Sequence, residues 1–236
     1  LQSGRDIAVR VHPSPRSLMR YLSDLSVSNS LMADQHIGAR KEALDTPVLL
    51  VDLDALERNI LKISKTIIGE AGVGWRPHTK AMKNPDLARL CLDAGAHGVT
   101  CAKLSEAEVM ADGGIKDILV ANEIVGAKKI ARLVNLCKRA DIMVCVDDKD
   151  NVEQIDRAAR AAGVRPRVLI EVDVGMGRAG VQPGAATVEL ASQISRFESI
   201  RFAGLQTWES HTLKITDEAE KKRQVLAALS QLNDTA

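Results

Sequence analysis

Residues 118–170 read ILVANEIVGAKKIARLVNLCKRADIMVCVDDKDNVEQIDRAARAAGVRPRVLI, and their pattern decides the fold. Three short apolar runs, Ile118–Ala121, Ile142–Val146 and Val168–Ile170, stand between longer amphipathic stretches. The runs are continuous, not alternating, as strands buried on both faces must be, and such strands build parallel sheets. Working outward, the same unit recurs on both sides. Strands are expected near residues 48, 74, 98, 118, 142, 168 and 202, each followed by a helix. The alternation specifies an α/β protein with right-handed crossovers, either an open doubly wound sheet or a (β/α)8 barrel.

Helix starts carry recurring signals. Asp54 with Glu57, Ser105 with Glu108, Asp150 with Glu153 and Asp217 with Glu220 each read as a capping box or its Asp variant. The first side chain accepts from orphan N–H groups while the Glu favours the positive helix end. Asn84-Pro85 is a further start, with Asn as cap and Pro at the first helical position. Gly95 and Gly163 mark helix ends.

Composition narrows the function classes. The 236 residues are 45% hydrophobic and 27% charged, with a formal net charge of +1, so disorder is excluded. Thirty-two Lys and Arg against thirty-one Asp and Glu give no electrostatic case for nucleic acid or an anionic membrane. No apolar run approaches the roughly 20 residues of a membrane helix. Cys91, Cys101, Cys137 and Cys145 form no C-x-x-C pair and have no His at ligand spacing. They read as reduced core thiols rather than a zinc site, which suits a cytoplasmic protein. Residues 1–45 read as a leader or tail, because they mix Ser, Arg and Pro without sustained period and lack an apolar signal core. No obvious linker interrupts the alternation, so residues 46–236 are expected to form one domain.

Two stretches could carry chemistry. Gly175-Met176-Gly177-Arg178-Ala179-Gly180 is a literal G-x-G-x-x-G after a strand. A dinucleotide site needs a helix opening inside the motif and an acid about 20 residues on. Here Val181-Gln182-Pro183-Gly184 intervenes, and Glu209 is the acid nearest the next strand end. A glycine-eased turn, or a turn that aims Arg178 at a ligand, accounts better for the motif. The second stretch is Gly74-Trp75-Arg76-Pro77-His78-Thr79-Lys80-Ala81-Met82-Lys83. Strand alternation places Arg76, His78 and Lys80 on one face, and barrel active sites gather at the C-terminal ends of strands. Cations beside a lysine favour the neutral amine that attacks a carbonyl.

With these segments in order, the chain resembles the fold-type III pyridoxal-phosphate (PLP) enzymes, the alanine racemase N-terminal-domain superfamily. Within it, the chain is most similar to the D-threonine aldolase, 3-hydroxy-D-aspartate aldolase and D-serine dehydratase group. The resemblance is carried by Asp45-Thr46-Pro47 through Asn59, by Arg76-Pro77-His78-Thr79-Lys80 and by Lys103-Leu104-Ser105-Glu106-Ala107-Glu108. Asn122-Glu123-Ile124-Val125-Gly126, Glu171 through Val181, and Phe202-Ala203-Gly204-Leu205-Gln206 complete it. It implies a barrel of the alanine racemase N-terminal type in which Lys80 forms an aldimine with PLP. It further implies that Arg178 bonds the cofactor's phenolic oxygen, that His78 lies beside the ring, and that Gln206 and Trp208 line the pocket with Arg76. The activity implied is retro-aldol cleavage of Cα–Cβ in D-β-hydroxy amino acids. D-serine dehydration, PLP binding without turnover and an inactive remnant are the alternatives.

The chain departs from the family pattern in two places. Lys80-Ala81-Met82-Lys83 lacks the histidine that usually follows the lysine, and Gln206-Thr207-Trp208-Glu209-Ser210-His211 replaces a segment that usually contains Tyr. Length is a third difference. The first strand joins the C-terminal domain in this family, which leaves about six barrel strands, and residues 46–236 are fewer than the roughly 250 of a complete barrel. The expectation is an incomplete barrel without the C-terminal β-domain, a piece of a longer, homodimeric enzyme. Its divalent-metal ligands would lie beyond residue 236, with none in this chain.

Overall fold

The computed structural model describes residues 38–236; of the leader expected over 1–45, residues 1–37 lie outside the described residues. The chain divides into two compact units, Leu1–Ile63 and Ser64–Ala236. In the first, described from residue 38, Lys41–Ala43 makes one 3-10 turn, and α1 (Leu53–Ser64) runs to the boundary. The strand expected near residue 48 is absent. Residues 48–52 form no ladder, and Val48, Leu49, Leu50 and Val51 are exposed, Leu49 at 98%. An apolar run becomes a strand only where a neighbour takes its N–H and C=O groups, and no such neighbour occurs among the described residues. Asp52, not Asp54, caps α1, since its Oδ1 accepts from Ala55 N–H at 2.9 Å.

From Pro85 onward the second unit alternates helix and strand. α2 (Pro85–Asp93) leads to β1 (Val99–Cys101), α3 (Leu104–Asp112), β2 (Asp117–Glu123), α4 (Ala127–Leu136) and β3 (Asp141–Val146). Then follow α5 (Lys149–Ala162), β4 (Arg167–Glu171), α6 (Ala185–Ile194), β5 (Arg201–Gln206) and α7 (Glu218–Thr235). All strand pairs are parallel, in the order β1-β2-β3-β4-β5. A doubly wound sheet reverses its order at a switch point, and this one does not, so the winding is that of a barrel. The barrel is not closed.

The first of the six expected barrel strands, near residue 74, is reduced to a bridge between His78 and Thr100. Thr100 N–H donates to Pro77 C=O and Thr79 N–H to Thr100 C=O. Pro77 has no N–H to continue the ladder, so this segment runs beside β1 without becoming a full strand.

The strands sort their side chains by period two. Ile118, Val120, Ile142, Val144, Val168 and Ile170 face outward into the main core, where Leu104, Met110, Ile130, Leu133, Val152, Ile155 and Leu190 of the helices cover them. Each such burial removes apolar surface worth about 1.5–3 kcal/mol. The inward side chains form three tiers. Asp117, Asp141 and Arg167 stand at the strand starts, while Leu119, Met143 and Leu169 fill the middle. Ala121, Cys145 and Glu171 face the C-terminal mouth.

The caps correct two more of the expectations. Asp148, not Asp150, caps α5 by accepting from Asn151 N–H at 2.9 Å. At α3 the cap position is Lys103, and Glu106 reaches back to Ala102 N–H at 2.9 Å, whereas Glu108 is paired with Arg132 on α4. In each case the acid nearer the emerging strand meets the free N–H groups. Asn84, Asp217 and the left-handed Gly163 act as expected.

Candidate active site

A cavity of about 670 Å³ opens at the C-terminal mouth of the sheet. All six candidate residues, Arg76, His78, Lys80, Arg178, Gln206 and Trp208, line it, from three separate segments. Barrel geometry is the cause. Parallel strands end at one rim, so the loops that follow them converge there.

Along residues 75–79 the expected alternation holds. Trp75, Pro77 and Thr79 are buried away from the cavity, which leaves Arg76, His78 and Lys80 on its wall. Arg76 sits at the floor, where Nη1 donates to Asp117 Oδ1 at 2.9 Å. Arg167 Nη2 donates to the same oxygen at 2.6 Å, and Arg167 Nε lies 2.9 Å from Asp141 Oδ1. Burial alone would raise the Asp117 pKa, but the two guanidinium groups outweigh it and hold the carboxyl below its ordinary range. Gly98 makes the arrangement possible, because a Cβ there would stand 2.4 Å from both Arg76 Nη1 and the Asp117 carbonyl oxygen. His78 Nδ1 accepts from Lys80 N–H at 3.3 Å. Burial, then the Lys80 charge, lowers the His78 pKa, so the neutral ring is favoured.

Arg178 is aimed by a carboxylate-centred turn. Asp173 Oδ1 accepts from Gly175 N–H and Gly177 N–H, each at 3.0 Å, and these bonds depress its pKa. Gly180 closes the turn at φ +103°; a Cβ there would lie 2.9 Å from Asp173 N and 3.0 Å from Glu171 O. The glycines of the G-x-G-x-x-G motif therefore serve a tight turn that projects Arg178 into the cavity. Lys80 Nζ lies 4.9 Å from the centroid of the Trp208 ring and Arg178 Cζ 5.2 Å from it.

Glu171 is the wall residue that the sequence reading did not single out. Gln206 Nε2 donates to its Oε2 at 2.8 Å. Burial pushes its carboxyl up to about 7; the Gln206 bond offsets part of this rise, and neighbouring Glu123 adds to it. A signal was present, since an acid ends the apolar run Val168-Leu169-Ile170, in phase with inward Leu169. Asn122 and Thr207 also line the cavity. Thr207 Oγ1 donates to Val172 C=O at 2.7 Å and pins the end of β5 to β4.

The site thus combines a lysine amine, an arginine aimed at the same space, a neutral imidazole and an aromatic wall. A ligand with an electrophilic carbon and an anionic oxygen near it fits this set. Among the described residues no group of three or more His, Cys, Asp or Glu is arranged to hold a metal ion.

Residues 51–236 match the family described as alanine racemase, N-terminal domain. The chain is 40% identical over 195 residues to D-threonine aldolase of Arthrobacter sp, covering 80% of this chain and 51% of that protein. To 3-hydroxy-D-aspartate aldolase of Paracoccus denitrificans it is 37% identical over 199 residues, covering 84% and 51%. The crystal structure of D-threonine aldolase from Filomicrobium marinum superposes with a TM-score of 0.78 at 40% identity, over 81% of this chain and 52% of that one. The chain spans about half the length of each of these relatives.

Proposed function

Because this chain belongs to the alanine racemase N-terminal domain family, we propose that its cavity holds pyridoxal 5'-phosphate on Lys80 and supplies the cofactor site of a lyase that cleaves Cα–Cβ in D-β-hydroxy amino acids. One observation carries the reading. Lys80 and Arg178 reach a single cavity from distant segments, and neither side chain makes a hydrogen bond or salt bridge among the described residues. Two cations held without an acceptor fit an anionic carbonyl ligand.

When bound, the cofactor supplies a conjugated ring that takes up the electron pair of a bond broken at the substrate α-carbon. The chain's own residues prepare the site for it. Lys80 offers the amine for covalent attachment. Arg178, a donor that stays charged, fits the anionic oxygen beside the attachment carbon. His78, kept neutral by burial and by Lys80, forms the adjacent wall without adding a third positive charge. Glu171 accepts a hydrogen bond from the Gln206 amide N–H and so turns that amide's oxygen away from itself. Trp208, Leu119 and Ala121 give an apolar surface that keeps water from part of the cavity. No group of three or more candidate metal ligands occurs among the described residues, and no step is assigned through a metal.

Covalent trapping tests the reading. The protein is incubated with pyridoxal 5'-phosphate, reduced with borohydride and mapped by peptide mass. The adduct is expected on Lys80 and should be lost in Lys80→Ala; an adduct elsewhere, or one that persists in the variant, overturns the assignment. Turnover separates the lyase classes. D-threonine should give glycine and acetaldehyde, whereas pyruvate and ammonia from D-serine would identify a dehydratase.

A further inference from the structure

Trp208 follows β5 at the cavity rim and is 38% exposed. Its ring lies within reach of two cations, with Lys80 Nζ at 4.9 Å and Arg178 Cζ at 5.2 Å from the centroid. Both lie inside the roughly 6 Å within which an indole attracts a positive charge. The Lys80 ammonium has no hydrogen-bond acceptor and no carboxylate partner among the described residues, so the ring is the group that holds it there. A lysine side chain left alone would spread over many rotamers, and ordering it requires a compensating attraction.

We propose that Trp208 is a positioning residue for Lys80, its indole ring serving as the berth on which the lysine ammonium rests whenever the amine is not covalently engaged. The inference rests on the reading of Lys80 as the attachment lysine. The berth keeps Nζ inside the cavity beside Arg178, so the two cations that act on one ligand stay side by side until a ligand draws the amine off the ring. The charged and titratable groups facing this arrangement are Arg76 and His78 from the same segment, Arg178 from the glycine turn, and Glu171 and Glu123 from the ends of β4 and β2. None of them reaches Lys80 Nζ with a hydrogen bond or a salt bridge.

The test needs no cofactor. Trinitrobenzenesulfonate labels amines that are free to meet it, and peptide mass reads Lys80 separately from other lysines. At neutral pH, Trp208→Leu should label Lys80 about two- to five-fold faster than the wild type, the factor equivalent to one exposed cation–π contact. Trp208→Phe, which keeps an aromatic face, should return most of the way to the wild-type rate. Labelling of Lys103 should not change. Fluorescence gives a second readout, because Lys80→Met should alter Trp208 emission while buried Trp75 supplies a constant background and a check of folding. Equal Lys80 labelling in the wild type and Trp208→Leu overturns the berth, as does Phe behaving like Leu, or emission indifferent to Lys80→Met. A missing borohydride-trapped adduct in the wild type would instead sink the cofactor reading and leave these measurements intact.

Discussion

Glu171 faces the cavity while its own strand is buried, and burial holds its carboxyl at about 7 against an ordinary 4.5. The sign of the stability effect follows. Between those values the unfolded chain has released the proton and the folded chain keeps it, so stability is fully present below about 4.5 and falls as pH rises through about 7. Glu171→Gln cannot ionise and should gain about 1–2 kcal/mol on the wild type between pH 5 and pH 8. Thermal melts at both pH values check this, and an equal difference at both would place the carboxyl at its ordinary value. Gly180 makes a steric prediction. Gly180→Ala combines φ +103° with a Cβ 2.9 Å from backbone nitrogen, so it should cost about 2–3 kcal/mol and lower the yield of trapped Lys80 adduct by moving Arg178. At this scale the sequence was partly legible. Lys80 and Arg178 lie in polar or glycine-rich stretches where side-chain chemistry stands out. Glu171 sits inside an apolar run, where its direction depends on the phase of a strand whose partners are far away in sequence.

Helices are delimited by the side chain that reaches the free N–H groups, and here that choice separates Asp148 from Asp150. Asp148 accepts from Asn151 N–H, whereas Asp150 lies in the first turn of α5. Asp148→Ala should cost about 1 kcal/mol, while Asp150→Ala should lose only the few tenths due to the helix dipole. Urea unfolding of both variants decides the matter, and the reverse order would restore the assignment made from the capping-box pattern. That pattern was ambiguous for a physical reason. Asp147, Asp148 and Asp150 crowd one strand-to-helix turn, and the backbone angles there select among them. Strand existence was clearer than strand completeness. The strands expected near 98, 118, 142, 168 and 202 became β1, β2, β3, β4 and β5, but Pro77 limited the segment near 74 to one bridge.

Across the whole sheet, the charged tier at the strand starts ties β2, β3 and β4 to the segment bearing Arg76. Asp117 is shared by Arg76 and Arg167, whose side chains are 20% and 12% exposed. Asp117→Asn should cost about 1.5–3 kcal/mol, because Arg76 loses its carboxylate while Arg167 keeps Asp141. The wild type should lose stability as pH falls below 3.8, the ordinary value beneath which this depressed carboxyl takes a proton. Melting curves from pH 6 down to pH 3 check both, and an acid limb unchanged by Asp117→Asn would refute the link. The sequence by itself determined the parallel α/β alternation, the barrel class through the resemblance, and the lysine and arginine that face the cavity. These are local signals of period, glycine placement and motif. Only the tertiary structure decided that the six candidate side chains share one cavity, that Arg76 spends its charge on Asp117, and that Glu171 holds its proton to about 7. Those outcomes depend on distance and burial between segments far apart in the chain, which sequence spacing does not encode.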